Sequence, residues 1–145
     1  MNESSSNDGQ VSQTASLNDR LTPLLTDLFY PSESDEPLTV VTCYLKQPEP
    51  LSVTQIKEWL MLPPDVYVEE RPEADFWAPV TTDEDWYGEE EKERTARFGE
   101  LKQVLETYLT ERQLFRVGAV EIDLYLLGRQ ADGERAGLKT RVVET

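Results

Sequence analysis

Val120-Glu121-Ile122-Asp123-Leu124-Tyr125-Leu126-Leu127 decides the fold. Val120, Ile122, Leu124 and Leu126 share one side of this run, and Glu121, Asp123, Tyr125 and Leu127 share the other. A sustained period of two is the mark of a β-strand. Downstream, residues 128–134 contain Asp132-Gly133, a hairpin-turn pair. Residues 138–143 then alternate again, so the two strands pair antiparallel. Upstream, residues 114–117 precede Gly118 and add a third consecutive strand.

Further out, the period changes. Phe98, Leu101, Val104, Leu105, Tyr108 and Leu109 fall on one helical face, which predicts the longest helix of the chain. Thr82 opens it, with Asp85 three residues on and acids in the first turns, where the helix dipole favours them. Gly88 is a place where it could divide. Asp85 and Trp86 then sit in the first turn. Large aromatics are mostly buried, so Trp86 reads first as core, with an exposed anchor as the alternative.

The earlier half supplies smaller elements. Residues 38–45 are β-branched and read as a strand. Ser52 and Gln55 form a capping box before Ile56, Trp59 and Leu60, and Pro63-Pro64 stops that helix. Residues 66–68 look extended. Residues 69–80 carry Pro72 and Pro79 with little period, and read as a surface loop that packs Phe76 or Trp77 inward. Leu17, Leu21, Leu24, Leu25 and Leu28 form a helical face capped by Ser16 and Asp19, with a kink or second start expected at Pro23. Residues 1–15 are rich in Ser, Asn and Gln and read as a disordered extension, leaving 16–145 as a single domain. Helices flanking a sheet of consecutive strands imply α+β layering, with both faces covered.

Composition excludes much chemistry. The 145 residues include 14 basic and 29 acidic side chains, for a net charge of −15. There is no histidine, so no Ser-His-Asp triad and no histidine general base or metal ligand exists. A single cysteine, Cys43, rules out an internal disulfide and a cysteine-rich zinc site. It lies among Val40, Val41, Tyr44 and Leu45, where a buried inert thiol is expected. No apolar run approaches the ~20 residues of a membrane span. The polar N-terminus lacks a secretory pattern, so the expected location is soluble and cytoplasmic. Acidity opposes direct nucleic-acid binding. It favours a basic partner or simply keeps the protein dispersed. Residues 113–145 are balanced in charge, so the acidity belongs to the first three-quarters of the chain.

Two motifs fail on inspection. Asp83-Glu84-Asp85-Trp86-Tyr87-Gly88 imitates a calcium loop, but Tyr87 and Arg94 occupy positions that need oxygen ligands. In Gly137-Leu138-Lys139-Thr140 the lysine does not follow its glycine directly, as a phosphate loop requires. Glu89, Glu90, Glu91 and Glu93 read as a solvated helix face compensated by Lys92, Arg94 and Arg97. No constellation marks a catalytic site, so no enzyme activity is expected. Three features remain. Pro31-Ser32-Glu33-Ser34-Asp35-Glu36-Pro37 is an acidic loop bracketed by prolines, or at its simplest a connector. Trp86 stands beside Asp85. The chain reads Val142-Val143-Glu144-Thr145 directly after a strand pattern, which would hold a terminal carboxylate in place.

Together these resemble the cyanobacterial nuclease A inhibitor family. The likeness lies in Glu84-Asp85-Trp86-Tyr87, in residues 115–125, and in residues 136–145 with their Lys139-Thr140-Arg141-Val142-Val143-Glu144-Thr145 ending. Leu28-Phe29 and Ser32-Glu33-Ser34 match as well. It runs from about Leu17 to the last residue, while the extension, Pro23 and residues 69–80 depart from the pattern. The resemblance implies a three-layer α/β/α sandwich (pathogenesis-related-1-like) with a mixed, mainly antiparallel sheet. It implies inhibition of a sugar-non-specific, metal-dependent DNA/RNA endonuclease by plugging its active site. By position, Glu33 would pair with a nuclease arginine, Asp85 and Trp86 would lie at the interface, and the terminal oxygens of Thr145 would approach the nuclease's magnesium. Ser32, Ser34 and Glu144 flank these positions and complete the expected partner-binding set. No cofactor of its own is implied beyond that Mg2+ bridge. A monomer when free and a one-to-one complex are expected. The alternative is a general acidic module binding basic proteins without active-site geometry.

Overall fold

The computed structural model describes residues 9–144, with side chains from Leu17 onward. Its elements run α1 (Gly9–Leu25), β1 (Phe29–Tyr30), β2 (Glu36–Pro37), β3 (Thr39–Cys43), α2 (Val53–Trp59), β4 (Val68–Arg71), α3 (Ala74–Thr81), α4 (Glu89–Tyr108), β5 (Thr110–Val117), β6 (Glu121–Arg129) and β7 (Arg135–Val143). The fold is α+β. Five strands form an antiparallel sheet in the order β3-β7-β6-β5-β4, and β1 and β2 form a separate two-stranded ribbon. Every pairing is antiparallel, so the mixed sheet expected from sequence becomes a uniformly antiparallel one among the described residues.

The β5–β6–β7 meander follows the alternation on which the reading rested. Ile122, Leu124 and Leu126 enter one core cluster with Leu114, Leu138 and Val142. Buried residues of α1, α3 and α4 fill the rest of that cluster. Tyr125 and Leu127 enter the other, with Phe115, Cys43 and Ile56 of α2. Trp59 meets Tyr125 edge-on at 5.6 Å between ring centroids. At Gly137 a Cβ would lie 1.7 Å from the Leu126 carbonyl oxygen, so β6 and β7 approach more closely than any side chain permits. Cys43 is buried, and burial pushes its thiol pKa up, which suits an inert thiol.

Four expectations need correction. α1 begins at Gly9, not at the Ser16 cap, because no glycine or proline interrupts residues 10–22. Residues 1–8 lie outside the described part of the chain. Pro23 neither restarts nor divides α1: it falls in the last turn, so the bond its missing N–H would give four residues back is lost only where the helix is about to end. Arg97 of α4 then donates to the carbonyls of Leu24 and Thr26, tying the end of α1 to α4.

Residues 69–80 are not a surface loop. Glu69 to Arg71 belong to β4, and residues 74–81 form α3, which buries Phe76, Trp77 and Val80. The Glu73 carboxylate accepts from Trp77 Nε1 at 2.9 Å and from Arg112 Nε at 2.8 Å, fixing the start of α3 against β5. Thr82 closes α3 instead of opening α4, since its hydroxyl donates back to the Ala78 carbonyl at 2.8 Å. α4 starts after Gly88, whose N–H donates to the Glu91 carboxylate at 2.9 Å. Ser52 and Gln55 do form the expected reciprocal cap on α2.

Candidate functional site

The acidic loop is the connection of the β1–β2 ribbon, closed by Phe29 opposite Pro37 and Tyr30 opposite Glu36. Prolines at both ends of the loop restrict the residues before them to extended backbone. One side chain then locks it. Ser32 Oγ donates to the Ser34 carbonyl at 2.7 Å and accepts from Ser34 N at 3.2 Å and from Val143 N at 3.1 Å. The last of these joins the loop to the final residue of β7. Ser34 Oγ in turn donates to the Glu36 carboxylate, and Thr140 Oγ1 donates to the Pro37 carbonyl at 3.0 Å. Beneath the loop, buried Tyr30 donates its hydroxyl to the Phe76 carbonyl at 2.6 Å. Desolvation raises its pKa well above the ordinary phenol value, with the Arg116 charge opposing and the Asp75 charge adding.

Val143 and Glu144 run past this loop. Glu144 N donates to the Val120 carbonyl at 2.9 Å, which extends the strand geometry beyond β7. Its carboxylate accepts from Arg116 Nη2 of β5 at 2.8 Å. Ser32, Glu33 and Glu144 therefore line one open cavity of about 400 Å3, floored by Leu114, Leu124 and Val142 and walled by Asp75 and Pro79 of α3. Among the described residues Arg116 is the one cation in that lining against Glu33, Asp75 and Glu144, so the mouth is acidic over an apolar floor. Such a recess suits a basic group with an apolar stem.

Asp85 and Trp86 lie elsewhere on the surface, in the connection between α3 and α4. A turn closed by Tyr87 N donating to the Glu84 carbonyl at 3.0 Å presents them. They do not occupy the first turn of a helix, as the sequence suggested, because the helix starts after Gly88. Trp86 is also not core: it is 75% exposed and leans edge-on against Tyr87 at 4.6 Å. The core reading fails because α3, not this turn, supplies the aromatic cover for the sheet. Asp85 and Trp86 do not line the cavity shared by Glu33 and Glu144, although the helices on either side reach towards the loop: Pro79 of α3 lines that cavity, and Glu90 of α4 lines a neighbouring groove with Asp35. Thr145 lies outside the described residues.

Sequence reasoning missed Arg116, Asp75 and Tyr30. Arg116 stands on the same side of β5 as Leu114, so strand alternation places it in the cavity wall. Asp75 was hidden by reading α3 as loop. Among the described residues no helix is long and apolar enough to cross a membrane. No curated protein matches the chain. A family model described as nuclease A inhibitor-like protein matches residues 15–145, which takes in both cores, the acidic loop, the Asp85-Trp86 turn and the end of β7. The chain belongs to the nuclease A inhibitor-like family.

Proposed function

We propose that this protein inhibits a sugar-non-specific, metal-dependent endonuclease in a one-to-one complex, with no catalysis of its own. The observation that carries the reading is the Ser32 hydroxyl bridging to Val143 N, which sets the Glu33 loop and the C-terminal strand side by side on one acidic surface. A nuclease that cuts any nucleic acid grips phosphates with cationic side chains and a hard cation, and reads little sequence. Glu33 would replace one phosphate contact through a charge-assisted hydrogen bond to an arginine. A carboxylate on Thr145, ionised at neutral pH, would offer oxygens to the nuclease's Mg2+ without a scissile bond. Exposed Trp86 would supply the desolvated anchor that acids lack, with Asp85 beside it. Ser32 and Ser34 would hold the loop's shape, and Glu144 would face the partner while paired to Arg116. We also read the fold as a three-layer α/β/α sandwich of the pathogenesis-related-1-like type. The two clusters on opposite sheet faces support that reading.

The test is titration of a purified sugar-non-specific nuclease with the protein, with Glu33→Ala, and with a form extended by several residues after Thr145. Stoichiometric loss of nuclease activity is expected, with each alteration weakening inhibition at least about tenfold, or ~1.4 kcal/mol. Full potency in the extended form would remove the metal-capping role. Full potency in Glu33→Ala would remove the loop from the interface.

A further inference from the structure

The end of the sheet far from the Glu33–Glu144 cavity carries an arrangement that inhibition does not use. β6 runs from Glu121, paired with Val143, to Arg129. At about 3.3 Å per residue its ends are ~26 Å apart. At the far end Arg129 and Arg135 stand directly opposite each other in the β6–β7 register, on the sheet side that carries Tyr125 and Leu127. Arg135 is 1% exposed. Its Nη2 donates to the carbonyls of Gln47 at 2.9 Å and Glu49 at 2.8 Å. Its Nε and Nη1, together with Arg129 Nε, are buried and have no acceptor among the described residues. Arg129 Nη1 reaches Glu111 at only 3.5 Å. Beside Arg135 opens a cavity of about 320 Å3 lined also by Cys43, Tyr44 and Glu134, and Glu134 is itself held by Lys46 at 3.6 Å.

This arrangement is costly as it stands. Guanidinium groups remain charged at any pH a protein survives, and like charges directly opposite on paired strands repel. Glu111, 3.5 Å from Arg129 with its side chain half exposed, offsets part of this charge but leaves the two facing guanidiniums in repulsion, and each orphaned donor adds the cost of its lost hydration. Burial, reinforced by the Arg129 charge and opposed by that of Glu111, also pulls the Arg135 pKa down, which reports the same stress. Main-chain carbonyls satisfy one nitrogen but cancel no charge. Water could accept from the orphaned donors and would leave the repulsion in place. An anion relieves both. Three orphaned donors on two facing guanidiniums call for at least three acceptor oxygens, which a tetrahedral oxyanion has and a carboxylate lacks.

We propose that Arg129 and Arg135 form a binding site for a phosphate-class oxyanion, either free phosphate or the phosphoryl group of a small ester. The site is independent of the nuclease-facing surface.

The test uses the full chain, following thermal unfolding and the arginine Nε–H resonances as chloride is replaced at constant ionic strength by inorganic phosphate or, in a second arm, by phenyl phosphate. The expected result is a saturable rise in the unfolding midpoint, with Nε–H shifts at Arg129 and Arg135. Stronger binding of phenyl phosphate would mark an ester as the occupant, and stronger binding of inorganic phosphate the free ion. Arg135→Lys risks unfolding, so Arg129→Gln, altering the less buried partner, carries the comparison and should weaken binding at least tenfold. The same midpoint in phosphate and chloride would overturn the site. So would equal binding by Arg129→Gln, which would mark an adventitious ion only.

Discussion

Ser32 holds the acidic loop through a single hydroxyl that makes three hydrogen bonds, one of them across to Val143. Ser32→Ala leaves the Val143 N–H without its partner, at a cost of about 1–2 kcal/mol in urea unfolding. It should also weaken nuclease inhibition, because Glu33 would no longer be presented in one place. Trp86→Ala separates the two properties. At 75% exposure the indole contributes little to folding, so stability should change by less than about 0.5 kcal/mol. As an interface anchor its loss should cost about 2 kcal/mol of affinity or more, measured by titration of the nuclease. An inhibitor equally potent without the indole would leave the α3–α4 turn outside the interface. Tyr30 governs the alkaline limit. Its phenol pKa is raised in the fold, so the unfolded chain ionises first, near pH 10. The stabilising contribution is thus complete below about pH 10 and is lost as pH climbs beyond it. Tyr30→Phe should flatten that alkaline decline in denaturation midpoint, while costing about 1 kcal/mol at neutral pH for the abandoned Phe76 carbonyl.

Strands were legible where neighbours in sequence are neighbours in space. The β5–β6–β7 meander needs only alternation and turns, and Ile122, Leu124 and Leu126 went to the face their spacing assigned. α3 was not legible, because Pro72 and Pro79 mask a helix that survives through burial of Phe76, Trp77 and Val80 and through the Glu73 carboxylate held by Arg112 of β5. That contact is tertiary and leaves no local trace. The start of α4 was misplaced for a related reason: Thr82 and Gly88 are both plausible caps, and only the back-bond from Thr82 to Ala78 assigns Thr82 to the preceding helix. The same displacement turned Trp86 from core to surface. The loop acid and the C-terminal strand were legible as separate motifs, but their juxtaposition rests on Ser32, whose bond to Val143 spans most of the chain. The β6–β7 contact gives the sharpest test at this scale. Gly137→Ala would drive a methyl into the Leu126 carbonyl, so the central strand pair must part. A loss of about 3 kcal/mol is expected in chemical denaturation. A neutral effect would mean that the sheet is looser there than its register implies.

Charge acts on the whole molecule. The net charge of −15 arises before residue 113, yet the candidate surface joins the acidic loop of that region to the charge-balanced C-terminal strands. Its local pairs, Arg116 with Glu144 and Arg71 with Asp75, are exposed enough to contribute little to stability. They nevertheless leave Arg116 as the single cation of the cavity lining among the described residues. The remaining negative field should therefore act on the encounter with a basic nuclease cleft more than on the finished contact. The Debye length shrinks from about 30 Å at 0.01 M salt to about 8 Å at 0.15 M. Association with the nuclease, followed by stopped-flow loss of activity, should slow roughly tenfold across that range. Dissociation should change far less, since an anchored contact that excludes water is poorly screened. A loose acidic module behaves differently: with no seated indole or loop, its complex would fall apart faster as salt rises, and inhibition would vanish at moderate ionic strength. The dissociation rate, not the affinity, is thus the quantity that separates a plug from a cloud of charge, and a rate that climbs in step with salt would decide against the plug.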